Sequence, residues 1–270
     1  MAALRKKPQT CALLISTYNW PEALRLVLES IKTQTRMPDE VIIADDGSGN
    51  ETRELIENFQ KNFPCPLIHV WHEDDGFRLA AIRNKAIAVC KSDYFIQIDG
   101  DCVLSPRFVE DHLSIAEEGW FTCGGRVIVN QVYSANALKT GWKTPCVLAT
   151  AISNKANLLH IPTLSKLLAR RIKKSKRFAA RGCNMAFWTK DILAVNGYNE
   201  SISGWGREDS ELEVRLMKSG KRRQILKFAG TIFHLFHNEA DRSQDQRNIE
   251  ILNRALASPE FWTPHGIVKK

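Results

Sequence analysis

In the first half of the chain, apolar residues fall into short runs closed by polar ones, and between the runs they recur at helical spacing. "CALLIST" (Cys11 to Thr17) has the pattern of a buried strand and leads into Tyr18 and Asn19. In "NWPEALRLVLESIKTQT", Asn19 stands where a helix cap belongs, Pro21 suits the first turn, and Leu24, Leu28 and Ile31 form one stripe. "DEVIIADDGS" predicts a second strand stopped by Asp45, Asp46 and Gly47, with a polar-faced helix from about Glu51 to Lys61. "PLIHVWH" predicts a third strand, "RLAAIRNKAIAVC" a helix through Leu79, Ile82, Ala86 and Cys90, and "SDYFIQIDGD" a fourth strand.

This β-α-β-α-β-α-β order predicts an α/β fold: a mostly parallel sheet with helices on both faces and right-handed crossovers. Ligands of such sheets gather beyond the carboxyl ends of the strands. The polar tips Thr17–Tyr18–Asn19, Asp45–Asp46 and Asp99–Gly100–Asp101 are therefore expected to face one crevice. The second half is less regular. A break near residue 130 is expected to divide a nucleotide-binding half, about 10–130, from an acceptor-binding half, 131–270, of one compact unit that closes with a helix from Gln246 to Leu256.

The 270 residues are 44% hydrophobic, which is enough for an ordinary core and argues against global disorder. The formal net charge of +8 favours anionic ligands in general without choosing among nucleic acid, lipid and phosphate. The seven cysteines are odd in number and form no CxxC pair, so they read as buried reduced thiols. "MAALRKKPQT" has no apolar signal-peptide core, and no apolar run reaches the roughly 20 residues of a membrane span. The expected location is cytoplasmic, with the option of peripheral contact at the inner face of a membrane.

The candidate chemistry begins at "FIQIDGDCVL". Asp99 and Asp101 are two residues apart at a strand end and can converge on one hard cation such as Mg²⁺ or Mn²⁺; the same pair would also cap a turn around Gly100. "HLFH" adds His234 and His237, which suit a Mn²⁺ shell with the two acids or, alternatively, a zinc site. In "GWGREDSEL", Gly204 and Gly206 flank Trp205 and imply a close backbone approach, while Glu208 and Asp209 open a helix. Acids there complement the helix dipole, and one of them beside a Trp-lined sugar pocket can take a proton from an attacking hydroxyl. "RLAAIRNKAI" contributes Arg78, Arg83 and Asn84, and arginines near a strand-end crevice match phosphate. No GxGxxG or GxxxxGK[ST] stretch is present.

In this order, "LLISTYNWPEALRLVLESIKTQT", "VIIADDGS", "GFRLAAIRNKAI", "FIQIDGD" and "GWGREDSE" resemble family 2 glycosyltransferases of the GT-A fold, from about Cys11 to about Arg242. The "GWGREDSE…HLFH" portion is similar to the galactosyl- and N-acetylgalactosaminyltransferase group, including bacterial chondroitin-type polymerases. The resemblance implies a UDP-sugar donor, a divalent cation and a saccharide or lipid-linked saccharide acceptor of a bacterial surface polysaccharide or lipopolysaccharide. It implies that Thr17, Tyr18 and Asn19 line the nucleotide and that Asp46, or its neighbour Asp45, contacts uracil. Asp99 and Asp101 would bind ribose and metal, with His237, and His234 beside it, completing the metal shell. Asp209 would be the base of an inverting single displacement, with Glu208 on sugar or acceptor hydroxyls. Arg207 departs from the pattern, because related enzymes often carry Gly there.

The basic run from Leu167 to Arg181 reads as a solvated loop that also attracts anionic lipid or an acidic acceptor. A nucleic-acid-binding protein would spread its charge in a stripe with aromatic platforms, and this chain clusters it once. A nucleotidyltransferase or metal hydrolase would use the same acids without needing the Trp-lined turn.

Overall fold

The computed structural model describes residues 6–171, 180–238 and 241–269. The predicted alternation is present as β1 (Cys11–Thr17), α1 (Pro21–Lys32), β2 (Glu40–Asp45), α2 (Asn50–Gln60), β3 (Leu67–Trp71), α3 (Leu79–Val89) and β4 (Tyr94–Asp99). Then follow β5 (Cys102–Leu104), α4 (Phe108–Ile115), β6 (Trp120–Gly124), β7 (Val127–Val129), α5 (Gln131–Thr140), β8 (Ile152–Ser153) and α6 (Pro162–Leu168). The chain continues through β9 (Met185–Trp188), α7 (Thr189–Ala194), α8 (Glu208–Lys218), β10 (Arg222–Leu226), β11 (Ile232–His234) and α9 (Asp245–Ala257).

The central sheet has seven strands in the order β10-β6-β9-β4-β1-β2-β3. Only β9 runs antiparallel to its neighbours, β4 and β6. Successive residues of a strand face opposite sides of the sheet, which explains the two-layered core. Leu13, Ile15, Val41, Ile43, Ile96 and Ile98 pack under the apolar stripe of α1 and against Ile56 of α2. Ala12, Leu14, Ile42, Ala44 and Phe95 pack on the other face with Ile82 and Ala86 of α3 and Leu212 and Leu216 of α8. A smaller sheet, β5-β11-β7-β8, covers the reverse side of α1 through Val103, Val127, Phe233 and Leu26.

The register aligns the strand tips. Thr17 stands opposite Asp45, Ser16 opposite Asp99, and Asp45 opposite Trp71. Asn19 does not cap α1. It adopts a left-handed φ of 44°, and its side-chain oxygen accepts from the Gly49 N–H at 2.9 Å, tying the β1 tip to the β2 tip. The cysteines are free, with Cys11, Cys102, Cys123 and Cys183 buried and Cys146 exposed. Among the described residues, no helix is long and apolar enough to cross a membrane.

Asn84 of α3 clamps the second half to the first. Its amide donates to the Tyr198 carbonyl at 2.9 Å and to Glu200 Oε1 at 2.8 Å, and its oxygen accepts from the Tyr198 N–H at 2.7 Å. The Asn84→Ala variant should lose about 2–4 kcal/mol of stability, from three buried hydrogen bonds and the partners left unpaired. Urea unfolding measures this, and a loss below about 0.5 kcal/mol would contradict the clamp.

Candidate active site

At the centre of the polar crevice is Arg83, whose side chain is only 1% exposed. Its guanidinium donates to Asp99 Oδ1 at 3.1 Å, to Asp209 Oδ1 at 3.1 Å and, at 3.5 Å, to Glu208 Oε1. Its Nε donates to Ser16 Oγ at 3.1 Å, and the Tyr198 ring lies 5.3 Å below the charge. Where the sequence pattern suggests phosphate, the donors of Arg83 are here taken up by acids from the β4 tip and the start of α8. Arg78 pairs with Asp75 at 3.4 Å and with the Glu73 carbonyl, while its backbone N–H donates to Asp46 Oδ2 at 2.9 Å.

Asp209 is held by further donors. Its Oδ2 accepts from the Gly182 N–H at 2.6 Å, and its Oδ1 accepts from the Tyr198 hydroxyl at 3.4 Å. Gly182 is required here by space, because a Cβ would lie 2.6 Å from both Arg83 and Asp209. Glu208 is nearly buried, and its Oε2 has no hydrogen-bond partner. Burial, reinforced by the charge of Asp209 and only partly offset by Arg83, pushes its carboxyl up to about 8. One guanidinium facing three carboxylates gives a simple reason for one of them to keep its proton.

The turn leading into α8 has left-handed residues at Gly204, Gly206 and Arg207, with φ of 69°, 94° and 80°. That conformation costs a side chain strain that Gly avoids. Arg207 is retained by a forked pair with Asp245, at 2.8 and 3.0 Å. This pairing ties the turn to α9. Buried Asn248 donates to the carbonyls of Ser203, Trp205 and Gly206. Arg242 lies 4.6 Å over the Trp205 ring, which remains 37% exposed.

A second group forms where β4, β5 and β11 meet. Asp101 Oδ2 lies 3.3 Å from His237 Nε2 and 3.7 Å from His234 Nε2. His237 Nδ1 is 2.7 Å from the Asn238 carbonyl, which can only accept. Nδ1 therefore carries the hydrogen, and the lone pair of Nε2 faces a carboxylate oxygen. Two acceptors at that distance call for a proton or a cation between them, and the mixed oxygen and imidazole set fits Mn²⁺. Burial lowers the proton affinity of His234, favouring the neutral imidazole that ligation needs. Asp99 has one oxygen, Oδ1, on Arg83 and the other without a protein partner among the described residues. Cys102 is part of the group, though nothing in the sequence marks it. Its buried thiol donates to Asp101 Oδ1 at 3.4 Å, leaving Oδ2 to the histidines.

On the nucleotide side, Tyr18 is 47% exposed and donates to Asp74 Oδ2 at 2.9 Å. Thr17 lines the turn beneath Gly100, where a Cβ would lie 2.9 Å from Thr17 Oγ1. Asp45 accepts from the Ser48 N–H at 2.8 Å and meets His69 at 2.8 Å, and Asp46 meets His72 at 2.7 Å. His69 lies within β3 and His72 just beyond its end, three residues on, a spacing that marks no shared strand face. Of the basic run 167–181, residues 172–179 lie outside the described residues, and Arg170 pairs with Glu117.

A family profile described as "Glycosyl transferase family 2" matches residues 12–191, most of the chain and all four strand tips. The chain belongs to glycosyl transferase family 2. A second profile, "N-terminal domain of galactosyltransferase", matches residues 169–238, which hold Gly182, the Trp205 turn and both histidines. Chondroitin synthase of Escherichia coli is 25% identical over 77% of this chain and 32% of that synthase. Hyaluronan synthase of Pasteurella multocida is 24% identical over 77% of this chain and 23% of its own length. The chain thus spans a third or less of these two relatives. Among solved structures, S. aureus TarS 1–349 in complex with UDP superposes with a TM-score of 0.63 at 13% identity, over 93% of this chain and 66% of that one. The mannosyltransferase PcManGT of Pyrobaculum calidifontis, in complex with GDP-Man and Mn²⁺, gives 0.61 at 17% identity, over 93% and 64%. The fold is GT-A.

The state of Glu208 has a consequence for stability. A carboxyl raised from 4.5 to about 8 keeps its proton in the folded state while the unfolded chain releases it. Stability should therefore fall as pH rises through that window. Urea unfolding between pH 5 and pH 8.5 should show Glu208→Gln losing less stability than the wild type by more than about 1 kcal/mol. Parallel losses would show that Glu208 is ionised throughout.

Proposed function

We propose that this family 2 enzyme transfers a hexose from a UDP-sugar to a hydroxyl of a saccharide acceptor, with inversion and with the help of Mn²⁺ or Mg²⁺. The observation that carries the reading is the pairing of two groups on one sheet edge. Asp101, His234 and His237 form a set suited to a divalent cation, and Asp209 is oriented by Arg83, Gly182 and Tyr198 beside it. The relatives include synthases named for polysaccharides and a solved neighbour in complex with UDP.

When bound at Asp101, His234 and His237, the cation supplies positive charge to the leaving diphosphate. Thr17, Tyr18 and Asn19 line the nucleoside. Asp46 takes the uracil in preference to Asp45, its side chain being 6% exposed against 1%. Asp99, which is a third exposed beyond its bond to Arg83, takes the ribose. Trp205 offers an apolar wall to the sugar. Asp209 Oδ2 retains a lone pair beyond its bond to Gly182 and accepts the proton of the attacking hydroxyl. Glu208, protonated, donates to a sugar or acceptor hydroxyl. No covalent intermediate is needed, and positioning with electrostatics supplies the acceleration.

Residues of about 10–130 form the donor half in this reading, and 131–270 the acceptor half. The proposed acceptor is a saccharide or lipid-linked saccharide in surface polysaccharide or lipopolysaccharide synthesis. The run 167–181 draws the protein to anionic lipid at the cytoplasmic face.

Asp209→Asn should bind UDP with Mn²⁺ as the wild type does, while turnover falls about 10²- to 10⁴-fold, the contribution of a general base. Titration calorimetry and UDP release over a panel of UDP-sugars check the two halves of that statement, and normal turnover would remove Asp209 from the role. Chelation with EDTA should abolish UDP release, and added Mn²⁺ should restore it. Undiminished release without a divalent cation would contradict the metal assignment.

A further inference from the structure

Arg126 lies in the turn between β6 and β7, and both carbonyls of that turn are fixed. Asn184 donates to Gly125 O and Asn157 to Arg126 O, each at 2.7 Å. The side chain is half-buried, and its Nε is fully enclosed with no hydrogen-bond partner. NH1 reaches only the Cys183 sulfur, at 3.7 Å, a weak acceptor. Among the described residues, no carboxylate lies within ion-pair distance of it. A guanidinium withdrawn from water without a counter-charge is costly, and here it is built on a rigid turn. Its surroundings show what would compensate it. Cys183 adjoins Gly182, which holds Asp209. β7 runs beside β11, with Val127 opposite Phe233 and Ile128 opposite His234. Arg126 thus neighbours both the strand that carries His234 and the segment that holds Asp209.

We propose that Arg126 is a donor-binding residue whose guanidinium takes the β-phosphate of the sugar nucleotide, completing with an anion a charge that the fold leaves uncompensated. This rests on the UDP-sugar reading above and assigns to Arg126 the phosphate contact that the sequence pattern had suggested for Arg83. A forked guanidinium suits phosphate oxygens, and the charge grows on those oxygens as the glycosidic bond breaks.

The test is calorimetry with UDP and with UMP, both in Mn²⁺, on the wild type, Arg126→Gln and Arg126→Lys, with urea midpoints alongside. The expected result for Arg126→Gln is UDP binding weakened roughly 10- to 100-fold, as befits a charged hydrogen bond, with UMP weakened less than about threefold. Arg126→Lys, which keeps a point charge, should fall between the Gln variant and the wild type. Equal weakening of UDP and UMP, unchanged UDP affinity, or an effect confined to the acceptor KM would each overturn the assignment while leaving the donor reading intact. A wild type that binds no UDP would overturn the donor reading itself, and this inference with it. Where the Gln variant does not fold, the Lys variant decides: weaker UDP binding with UMP unchanged supports the proposal, and wild-type affinity for both contradicts it.

Discussion

The site is organised around one buried cation. Arg83 has almost no contact with solvent, and a lone guanidinium in that position would be prohibitive. Three carboxylates, from the β4 tip and the first turn of α8, make it tolerable. They in turn outnumber it, so the cluster holds more negative charge than one arginine neutralises. Burial, with that imbalance added, explains why the Glu208 carboxyl is raised, and Asp209 draws on the Gly182 N–H and the Tyr198 hydroxyl as well. The arrangement ties elements far apart in sequence into a single geometry, and the absence of a Cβ at Gly182 is part of its fit.

The cation-suited group stands just across the crevice. Asp101 divides its oxygens, one toward the Cys102 thiol and one toward the two imidazoles. Arg83 organises the acids, and Arg126, on a turn pinned by Asn157 and Asn184, has no carboxylate partner among the described residues. The two arginines differ in what surrounds them rather than in kind. One is saturated by carboxylates, and the other is offered to an anion. The α9 helix completes the frame, with Asp245 and Asn248 gripping the turn that carries Trp205.

Much of this was legible in the chain. Short apolar runs with polar tips located β1 to β4, because a strand buried on both faces must be apolar until it reaches the crevice. The acids Asp99, Asp101, Glu208 and Asp209 stood out, since carboxylates beside apolar runs demand a reason. What the pattern did not reveal was pairing. Arg83 and Arg126 look alike in sequence, and only tertiary structure shows which is neutralised. His69 and His72 look ordinary until the end of β2 brings Asp45 and Asp46 beside them. The strands β5, β7, β8 and β11 are two or three residues long, too short for periodicity to register. Asn19 carried a helix-cap signal that lost to a tertiary bond with Gly49, and Arg207 broke a glycine pattern because Asp245 could hold it.

The account's central claim is that Arg83 is a structural hub and that the anion-binding work belongs to the cation group and its rim. A crystal structure with UDP and Mn²⁺ tests this most directly. The ion is expected on Asp101 and His237 at about 2.2 Å, a distance typical of such ligands, with Arg83 still on Asp99 and Asp209. Arg83 swung onto the diphosphate, or an ion found away from Asp101 and His237, would contradict it.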